Sequence, residues 1–395
     1  MGRAQWLSVA AGCVAAVTCA VAATLVSRRA AGRCRWNRAV EVVRGFEEEC
    51  ATPTERLQRV VNSLAVEMFA GLASEGASKV RMLLTCVDEL PDGSEEGIYY
   101  AIDLGGTGFR VMKLELSESM VINKKVEHHP ISEEMTKGTS KDLFDLIAST
   151  LKTFIEKEGE KEERKALGFT FSFPVTQMSI SSGSLIRWTK EFSIEETVGK
   201  DVSQCLNEAL IRNRLDLQVT VLVNNAVGTL AMRHYYDEDT VAAVIIGAAA
   251  IREDDSPDLM VVGRVLEEHL KIQDVSLKTR KLVVRICDIV TRRAARLAAA
   301  RIVAILQKTG RDGSLCGTTN LRKIRGETKR SVVAIEGGLY QGYSVFREYL
   351  NEAVDEILGD EIAPTVSLKV MEEGSGIGVA LLGASHSSNT KQNSI

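Results

Sequence analysis

A strand–turn–strand pattern between Ile98 and Leu116 carries the residues best suited to chemistry. Apolar, β-prone residues flank a turn that contains Asp103, Gly105, Gly106, Thr107 and Gly108. Adjacent glycines let the backbone turn tightly and bring N–H groups close to an anion. A threonine hydroxyl adds a donor, and a carboxylate at the end of the strand can hold Mg²⁺ or its waters. This combination suits the phosphates of a nucleotide, and an ordinary hairpin with a glycine turn is the alternative interpretation.

Two asparagines mark a second candidate site. The apolar run from Val219 to Val223 predicts a short buried strand, and Asn224 and Asn225 follow it directly. Polar residues at the carboxyl end of a buried strand are typical of a ligand site in α/β proteins. The pair is therefore a candidate from the residues alone.

The elements that position these residues alternate between helix and strand, which favours an α/β fold. Apolar residues recur at helical spacing from Val40 to Leu90, and the spacing of Ser193 and Glu196 predicts a capping box that opens a helix reaching Asn213. Further strands are predicted at Leu167–Phe173, Val241–Gly247, Val332–Glu336 and Val366–Val370, and further helices at Leu143–Ile155, from Leu266 onward, and at Leu282–Leu306. A polar tail begins at Ser385.

The length and net charge of the chain limit the classes of protein to which it can belong. A chain of 395 residues is large enough for two domains, and a net charge of −4 provides no basic field for nucleic acid. The eight cysteines are scattered without a CxxC pair, so we expect reduced thiols rather than a disulfide or zinc framework.

The N-terminus predicts a membrane anchor. Trp6 to Val26 contains no charged residue and is long enough to cross a bilayer as a helix. Only Arg3 precedes it, whereas five arginines follow, which places the body of the protein in the cytosol: Arg28, Arg29, Arg33, Arg35 and Arg38. A cleaved secretory signal and a transit peptide are the alternatives, although the following arginines argue against the signal.

Five motifs, in this order along the chain, resemble those of the plant hexokinase family. They are Asp103-Leu-Gly-Gly-Thr-Gly-Phe-Arg110, Phe171-Ser-Phe-Pro174, Trp188-Thr-Lys190, Val332-Val-Ala-Ile-Glu-Gly-Gly338 and Gly374-Ser-Gly-Ile-Gly378. The resemblance covers almost the whole chain. It implies a two-domain actin-like ATPase (ribonuclease H-like) fold of the α/β class, ATP and Mg²⁺ as cofactors, and glucose or another hexose as substrate. It also implies that residues 6–26 anchor the protein in the mitochondrial outer membrane.

The same resemblance assigns roles to single residues. Asp103 would hold Mg²⁺, and Asn225 occupies the position of the family's catalytic aspartate. Phosphate or nucleotide contacts are implied for Gly105, Gly106, Thr107, Gly108, Arg110, Gly337 and Gly338. Sugar contacts are implied for Ser172, Thr189, Lys190, Asn224 and Asn225. For Ser172, Thr189 and Lys190 a surface loop is the alternative that the residues alone favour.

Four departures from the family pattern predict weak catalysis. An amide such as Asn225 cannot accept a proton at neutral pH, and loss of a general base costs about 10²- to 10⁴-fold in rate. Gly108 replaces an asparagine that contacts phosphate. Gly247 to Ala250 (Gly-Ala-Ala-Ala) stands where the family has a second phosphate loop with hydroxyl donors. After Ala250 the chain lacks a block of roughly a hundred residues, comparable to a small domain, which in the family supplies two strands and the glutamates that bind the sugar.

The missing block predicts an exposed sheet edge. The strand from Val241 to Ile246 loses its hairpin partner, because Arg252 to Asp258 is charged and turn-prone. An apolar edge of this kind pairs readily with another chain, so we expect a marginal second domain or a protein partner at this edge.

These observations divide the chain into five predicted segments. They are an anchor with its basic flank (1–39), a helical linker (40–97), a first α/β domain (98–240), a truncated second α/β domain (241–384) and a tail (385–395). Three functions compete: a working hexose kinase, a hexokinase-like protein with weak or no turnover that acts in sensing or through partners, and a defective splice form or gene model. The substitutions favour the second.

Overall fold

The computed structural model describes residues 32–74, 76–117, 120–159, 165–247, 256–273, 275–313 and 329–392. The helices described are α1 (32–50), α2 (Thr54–Ala73), α3 (Glu133–Thr136), α4 (Ser140–Glu158), α5 (Val202–Arg212), α6 (Asn225–Tyr236), α7 (Met260–Glu268), α8 (Leu277–Lys308), α9 (Gly338–Gly342), α10 (Ser344–Leu358) and α11 (Gly374–Gln392). The strands described are β1 (Gly97–Leu104), β2 (Gly108–Ser117), β3 (Met120–Pro130), β4 (Lys165–Phe171), β5 (Val175–Ser179), β6 (Ser182–Leu185), β7 (Leu217–Val223), β8 (Thr240–Ile245), β9 (Ser331–Glu336) and β10 (Val366–Met371).

The chain divides into two compact units. One comprises Met1–Pro53 and Glu253–Ala294, and the other comprises Thr54–Arg252 and Ala295–Ile395. In the first unit, the described residues are helical for the most part, and Arg285 of α8 forms an ion pair of 2.5 Å with Glu47 of α1. All residues discussed below as site residues belong to the second unit.

A five-stranded sheet of order β3-β2-β1-β4-β7 carries the glycine turn. The predicted hairpin is confirmed: β1 pairs with β2 in antiparallel register, from Gly97 opposite Leu116 to Leu104 opposite Phe109. The strands β4 and β7 continue the sheet in parallel with β1. The sequence interpretation missed β3, which pairs with β2, because its many polar side chains hide the strand pattern.

Each face of this sheet is buried by a different pair of helices. Side chains alternate between the faces of a strand, so Tyr100, Ile102 and Leu104 of β1 pack with residues of α4 and α5. Ala101 faces the opposite way and belongs to a cluster with residues of α6 and α11. Asp103 follows Ala101 at a spacing of two and therefore faces α11. Because of this alternation, the Asp103 carboxylate lies in the interior of the molecule.

The predicted capping box at Ser193 and Glu196 is wrong. Glu196 lies in a short 3₁₀ turn, and its Oε1 accepts a hydrogen bond of 2.6 Å from the backbone N–H of Ser140. The helix α5 begins later, where the Asp201 side chain accepts from the N–H groups of Ser203 and Gln204. The Glu196 carboxylate therefore binds the start of α4, which is distant in the sequence, instead of capping the helix that the local pattern predicted.

A second sheet has the order β10-β9-β8 among the described residues, with all three strands parallel. Its buried side chains, such as Val333 and Ile335, pack with apolar residues of α2, the second half of α8 and α10. In the described part of the chain β8 pairs with β9 alone, so its other side is an edge. The predicted strands at Val241, Val332 and Val366 are confirmed within two residues.

Other boundaries differ from the prediction. The helical pattern expected to Leu90 ends at Ala73, and residues 84–92 contain no helix or strand. The glycine-rich motif at Gly374 to Gly378 forms the first turns of α11 rather than a loop, and the predicted tail from Ser385 continues this helix to Gln392. No helix in the described ranges has the length and apolar character needed to cross a bilayer. The predicted anchor, Trp6 to Val26, lies outside these ranges.

Candidate active site

The carboxyl ends of three strands bring the candidate residues together. Asp103 of β1 lies opposite Thr170 of β4, and Thr170 lies opposite Val223 of β7. The glycine turn and the Asn224–Asn225 pair therefore leave the sheet at the same edge. Polar side chains at the carboxyl ends of parallel strands mark the usual ligand site of an α/β sheet.

Asp103 lies at the centre of a buried polar network. Its side chain is buried, and its Oδ2 accepts hydrogen bonds from the guanidinium of Arg110 and from the hydroxyl of Ser375, the latter at 2.6 Å. The same Arg110 nitrogen lies 2.9 Å from the Ser375 oxygen. The predicted Mg²⁺ residue and the predicted phosphate residue thus neutralise each other in this structure.

Glu336 adds a second buried carboxylate to this network. Its Oε2 accepts from the hydroxyl of Thr229 and, at 3.0 Å, from the backbone N–H of Ser375, while its Oε1 lies 3.9 Å from Arg110. Burial raises the pKa of Glu336, although Thr229 and the Arg110 charge oppose the shift. Sequence reasoning did not single out Glu336, Thr229 or Ser375. The signal that could have identified Glu336 is its position at the end of an otherwise apolar, buried strand.

Lys190 lies directly beside the glycine turn. A Cβ placed on Gly106 would lie 2.6 Å from Lys190 Cδ, and the Lys190 ammonium lies 5.4 Å from the centre of the Phe173 ring. Partial burial lowers the pKa of Lys190, and the negative charge of Asp103 opposes that shift. The predicted sugar segment and the predicted phosphate turn therefore meet.

An aromatic cluster holds the segment that carries Thr189 and Lys190. The Trp188 ring stacks on Phe192 with a centroid distance of 5.1 Å and meets Phe173 edge-on at 4.8 Å. The Trp188 indole N–H also donates to the carbonyl of Ile194 at 2.7 Å. A buried ring with its N–H satisfied fixes the backbone that follows it. Trp188 is therefore anchored in the core, whereas Lys190 itself is exposed.

The glycine turn borders a cavity of about 430 Å³. Within the turn the Gly105 N–H donates to the Gly108 carbonyl at 2.9 Å, and the Thr107 carbonyl accepts from Ile131 at 3.3 Å. The cavity is lined by Asp103, Gly105, Thr107, Gly108, Phe109, Arg110, His128, His129 and Pro130. A Cβ on Gly108 would lie 2.4 Å from the carbonyl oxygen of His129, so this glycine allows the end of β3 to approach the turn.

The asparagine pair begins helix α6. Asn224 is the N-cap, and its Oδ1 accepts from the N–H of Val227 at 3.0 Å. Asn225 Oδ1 accepts from the N–H of Ala226, also at 3.0 Å. One turn later, the Thr229 hydroxyl lies within hydrogen-bond distance of both the Asn225 carbonyl and the Glu336 carboxylate, which connects this helix start to the buried network.

The remaining predicted residues take the following places. The Ser172 N–H donates to the Leu104 carbonyl at 3.1 Å, so Ser172 lies next to the turn. Gly337, at φ 122°, directly follows Glu336, and a Cβ there would lie 2.3 Å from the carbonyl oxygen of Ile246. Gly338 begins α9. Gly247 is described, whereas the rest of the predicted second phosphate segment lies outside the described residues.

Comparison with known proteins decides the family. Two hexokinase family models match residues 42–235 and 216–385 of this chain. The chain belongs to the hexokinase family. It is 58% identical to Hexokinase-10 of Oryza sativa subsp. japonica, over all of this chain and 99% of that protein. It is 51% identical to Hexokinase-3 of the same plant, over 99% of each chain.

Solved hexokinase structures share the fold. A hexokinase from Schistosoma mansoni, determined in complex with glucose, superimposes with a TM-score of 0.75 at 23% identity, over 88% of this chain and 99% of that one. At this identity the likeness concerns the fold alone. The predicted mixed α/β hexokinase fold is confirmed, and membership of the family implies ATP and a divalent metal.

Proposed function

We propose that this member of the hexokinase family binds a hexose and a nucleotide but transfers the phosphoryl group poorly or not at all. The observation that carries the proposal is Asn225 at the carboxyl end of β7. Phosphorylation of a sugar hydroxyl needs a base that takes its proton, and a neutral amide cannot do so. Its Oδ1 is moreover hydrogen-bonded to the Ala226 N–H, which favours a role in positioning sugar.

The phosphate turn fits the nucleotide that the family implies. Gly105, Thr107 and Gly108 of the turn line a cavity together with Arg110, whose cationic side chain suits phosphate. No group of three or more His, Cys, Asp or Glu side chains in the described ranges could hold a metal by itself. Mg²⁺ usually takes one or two carboxylates together with phosphate oxygens, so Asp103 would hold it only with the nucleotide present. Mg²⁺ bound there would neutralise phosphate charge.

A sugar ligand is supported by the position of the candidate sugar-binding residues, which lie near one edge of the sheet. Ser172, Thr189, Lys190 and the two asparagines lie on segments that reach the same edge of the sheet. The fold is shared with a hexokinase that was crystallised with glucose. We therefore assign a hexose as the ligand of this side of the site.

A missing internal block also supports weak turnover. The alignment with rice Hexokinase-10 runs over 501 positions, whereas this chain has 395 residues. The relative therefore has residues that this chain lacks. The block expected after Ala250 would account for them and would remove the glutamates that bind the sugar in the family.

A non-catalytic regulatory protein at the mitochondrial outer membrane is the second candidate. The uncharged run Trp6 to Val26, followed by the arginine cluster, favours membrane attachment with the body in the cytosol. Such a protein would bind hexose and act through a partner, for which the β8 edge is a candidate surface.

One pair of measurements tests the proposal. Glucose phosphorylation is followed in a coupled assay beside an ordinary hexokinase, and glucose binding is measured by calorimetry on the same preparation. We expect turnover more than tenfold below the reference together with measurable binding. Turnover within tenfold of the reference would overturn the proposal, and absent binding would overturn its sugar assignment.

A further inference from the structure

The cavity beside the glycine turn, called the phosphate cavity below, is lined in part by residues that lie outside the family motifs. The end of β3 contributes His128, His129 and Pro130 to its lining. The close approach of β3 to Gly108 brings these residues to the turn, since a larger residue at that position would collide with the β3 backbone.

The strand register determines which histidine shares a face with Arg110. Arg110 lies opposite His128, and Phe109 lies opposite His129. Residues opposite each other in an antiparallel pair project from the same face of the sheet. His128 therefore projects on the side of Arg110 and Asp103, whereas the His129 ring stacks on Phe109 at 5.3 Å on the other side.

His128 is available to a ligand. Its side chain is 65% exposed, and its Nε2 lies 3.3 Å from Oε1 of Glu373, the residue just before α11. Burial alone would raise the pKa of Glu373, but Lys124, at 3.2 Å, His128 and the Arg110 charge outweigh it and lower the pKa. Glu373 is thus an ionised partner whose charge is already balanced by Lys124.

We propose that His128 binds the phosphates of the nucleotide beside Arg110. An imidazole N–H can donate a hydrogen bond to a phosphate oxygen. The charged groups that face it are Glu373, Lys124 and Arg110, with Asp103 beyond Arg110. The inference rests on the proposed nucleotide site.

Calorimetric titration of the full chain with inorganic triphosphate at one fixed pH, without metal, tests this proposal. The probe lacks a base and a sugar, so it reports on the phosphate cavity alone. We expect the affinity to fall about tenfold when the His128 imidazole is removed, the equivalent of one hydrogen bond.

Three variants complete the test. His128→Ala should bind triphosphate about tenfold more weakly, and His128→Lys, which keeps a donor at this position, should bind about as tightly as the unmodified protein. His269→Gln, at an exposed histidine that follows α7 and does not line the cavity, is the control and should behave like the unmodified protein. Equal affinity in the unmodified protein and His128→Ala would overturn the role of His128 while leaving the nucleotide site intact. Absence of triphosphate binding to the unmodified protein would overturn the proposed nucleotide site itself.

Discussion

The hydroxyl of Ser375 donates to Asp103 Oδ2 at 2.6 Å, and the backbone N–H of Ser375 donates to Glu336 at 3.0 Å. Asp103 is the penultimate residue of β1 in the five-stranded sheet, and Glu336 is the last residue of β9 in the three-stranded sheet. The first turn of α11 thus joins the two sheets at the point where their carboxylates are buried.

Ser375→Ala should therefore destabilise the protein. The substitution removes a donor from a buried carboxylate, and a buried polar group left without its partner costs about 1–3 kcal/mol. The free energy of unfolding, measured by denaturant titration, should fall by that amount. Ser387→Ala is the matched control, because its hydroxyl bonds the Gly383 carbonyl of the same helix at 2.6 Å. An equal loss in both variants would contradict a special role for Ser375.

Arg330→Gln should change the stability of the protein in acid. Two hydrogen bonds from Arg330 to Asp237, at 2.8 and 2.9 Å, together with Arg233, lower the pKa of Asp237 to about 2. A lowered pKa stabilises the native state above the ordinary value of 3.8, and this contribution is lost as the pH falls towards 2. In the variant the unfolding free energy should vary less between pH 4 and pH 2. Lys329→Gln, whose ammonium lies 4.0 Å from Asp239, is the control and should keep the dependence.

Asn225→Asp alone should not restore hexose phosphorylation. A restored base contributes about 10²- to 10⁴-fold only where substrate and phosphates are already positioned. The second phosphate segment has no hydroxyl donors in this sequence. We expect less than a tenfold rise in the coupled assay. A rise of a hundredfold or more would show that the substitution is the sole defect.

The amides of β8 should exchange in an alternating pattern. The Ile246 N–H donates to the Glu336 carbonyl of β9 at 2.8 Å, and successive amides of a strand point to opposite sides. The amides of Val244 and Ile246 should therefore be protected, and those of Ala243 and Ile245 should exchange rapidly with deuterium. Strong protection of all four in a monodisperse monomer would show that another segment completes the sheet.

Removal of residues 1–39 should release the protein from membranes. The proposed anchor is the uncharged run Trp6 to Val26. Fractionation of cells that produce the full and the shortened chain should place the first with the mitochondrial outer membrane and the second in the soluble fraction. A cleaved form inside the organelle would establish the transit peptide instead.

Local patterns in the sequence were sufficient for the strands and the turn of the site. Alternating or continuous apolar residues predict β1, β2, β4, β7, β8, β9 and β10, because each strand buries at least one face. The glycines after Asp103 predict a turn from their type alone, and the structure shows that close approach requires them, since a Cβ on Gly108 would lie 2.4 Å from the His129 carbonyl oxygen. The same reasoning failed at Glu196, where the partner of the carboxylate is the distant Ser140 N–H.

By itself, then, the sequence determined the hairpin, the position of Asp103 beside its turn, and the pair of amides that follows β7. Only the tertiary structure decided that Arg110 and Ser375 bind Asp103, that Glu336 joins them, and that His128 borders the phosphate cavity. Those relationships connect residues that are distant in the chain or lie on strands whose register no local pattern specifies. Packing of α11 against the five-stranded sheet brings Ser375 within hydrogen-bond distance of both carboxylates, whose burial requires them to be satisfied.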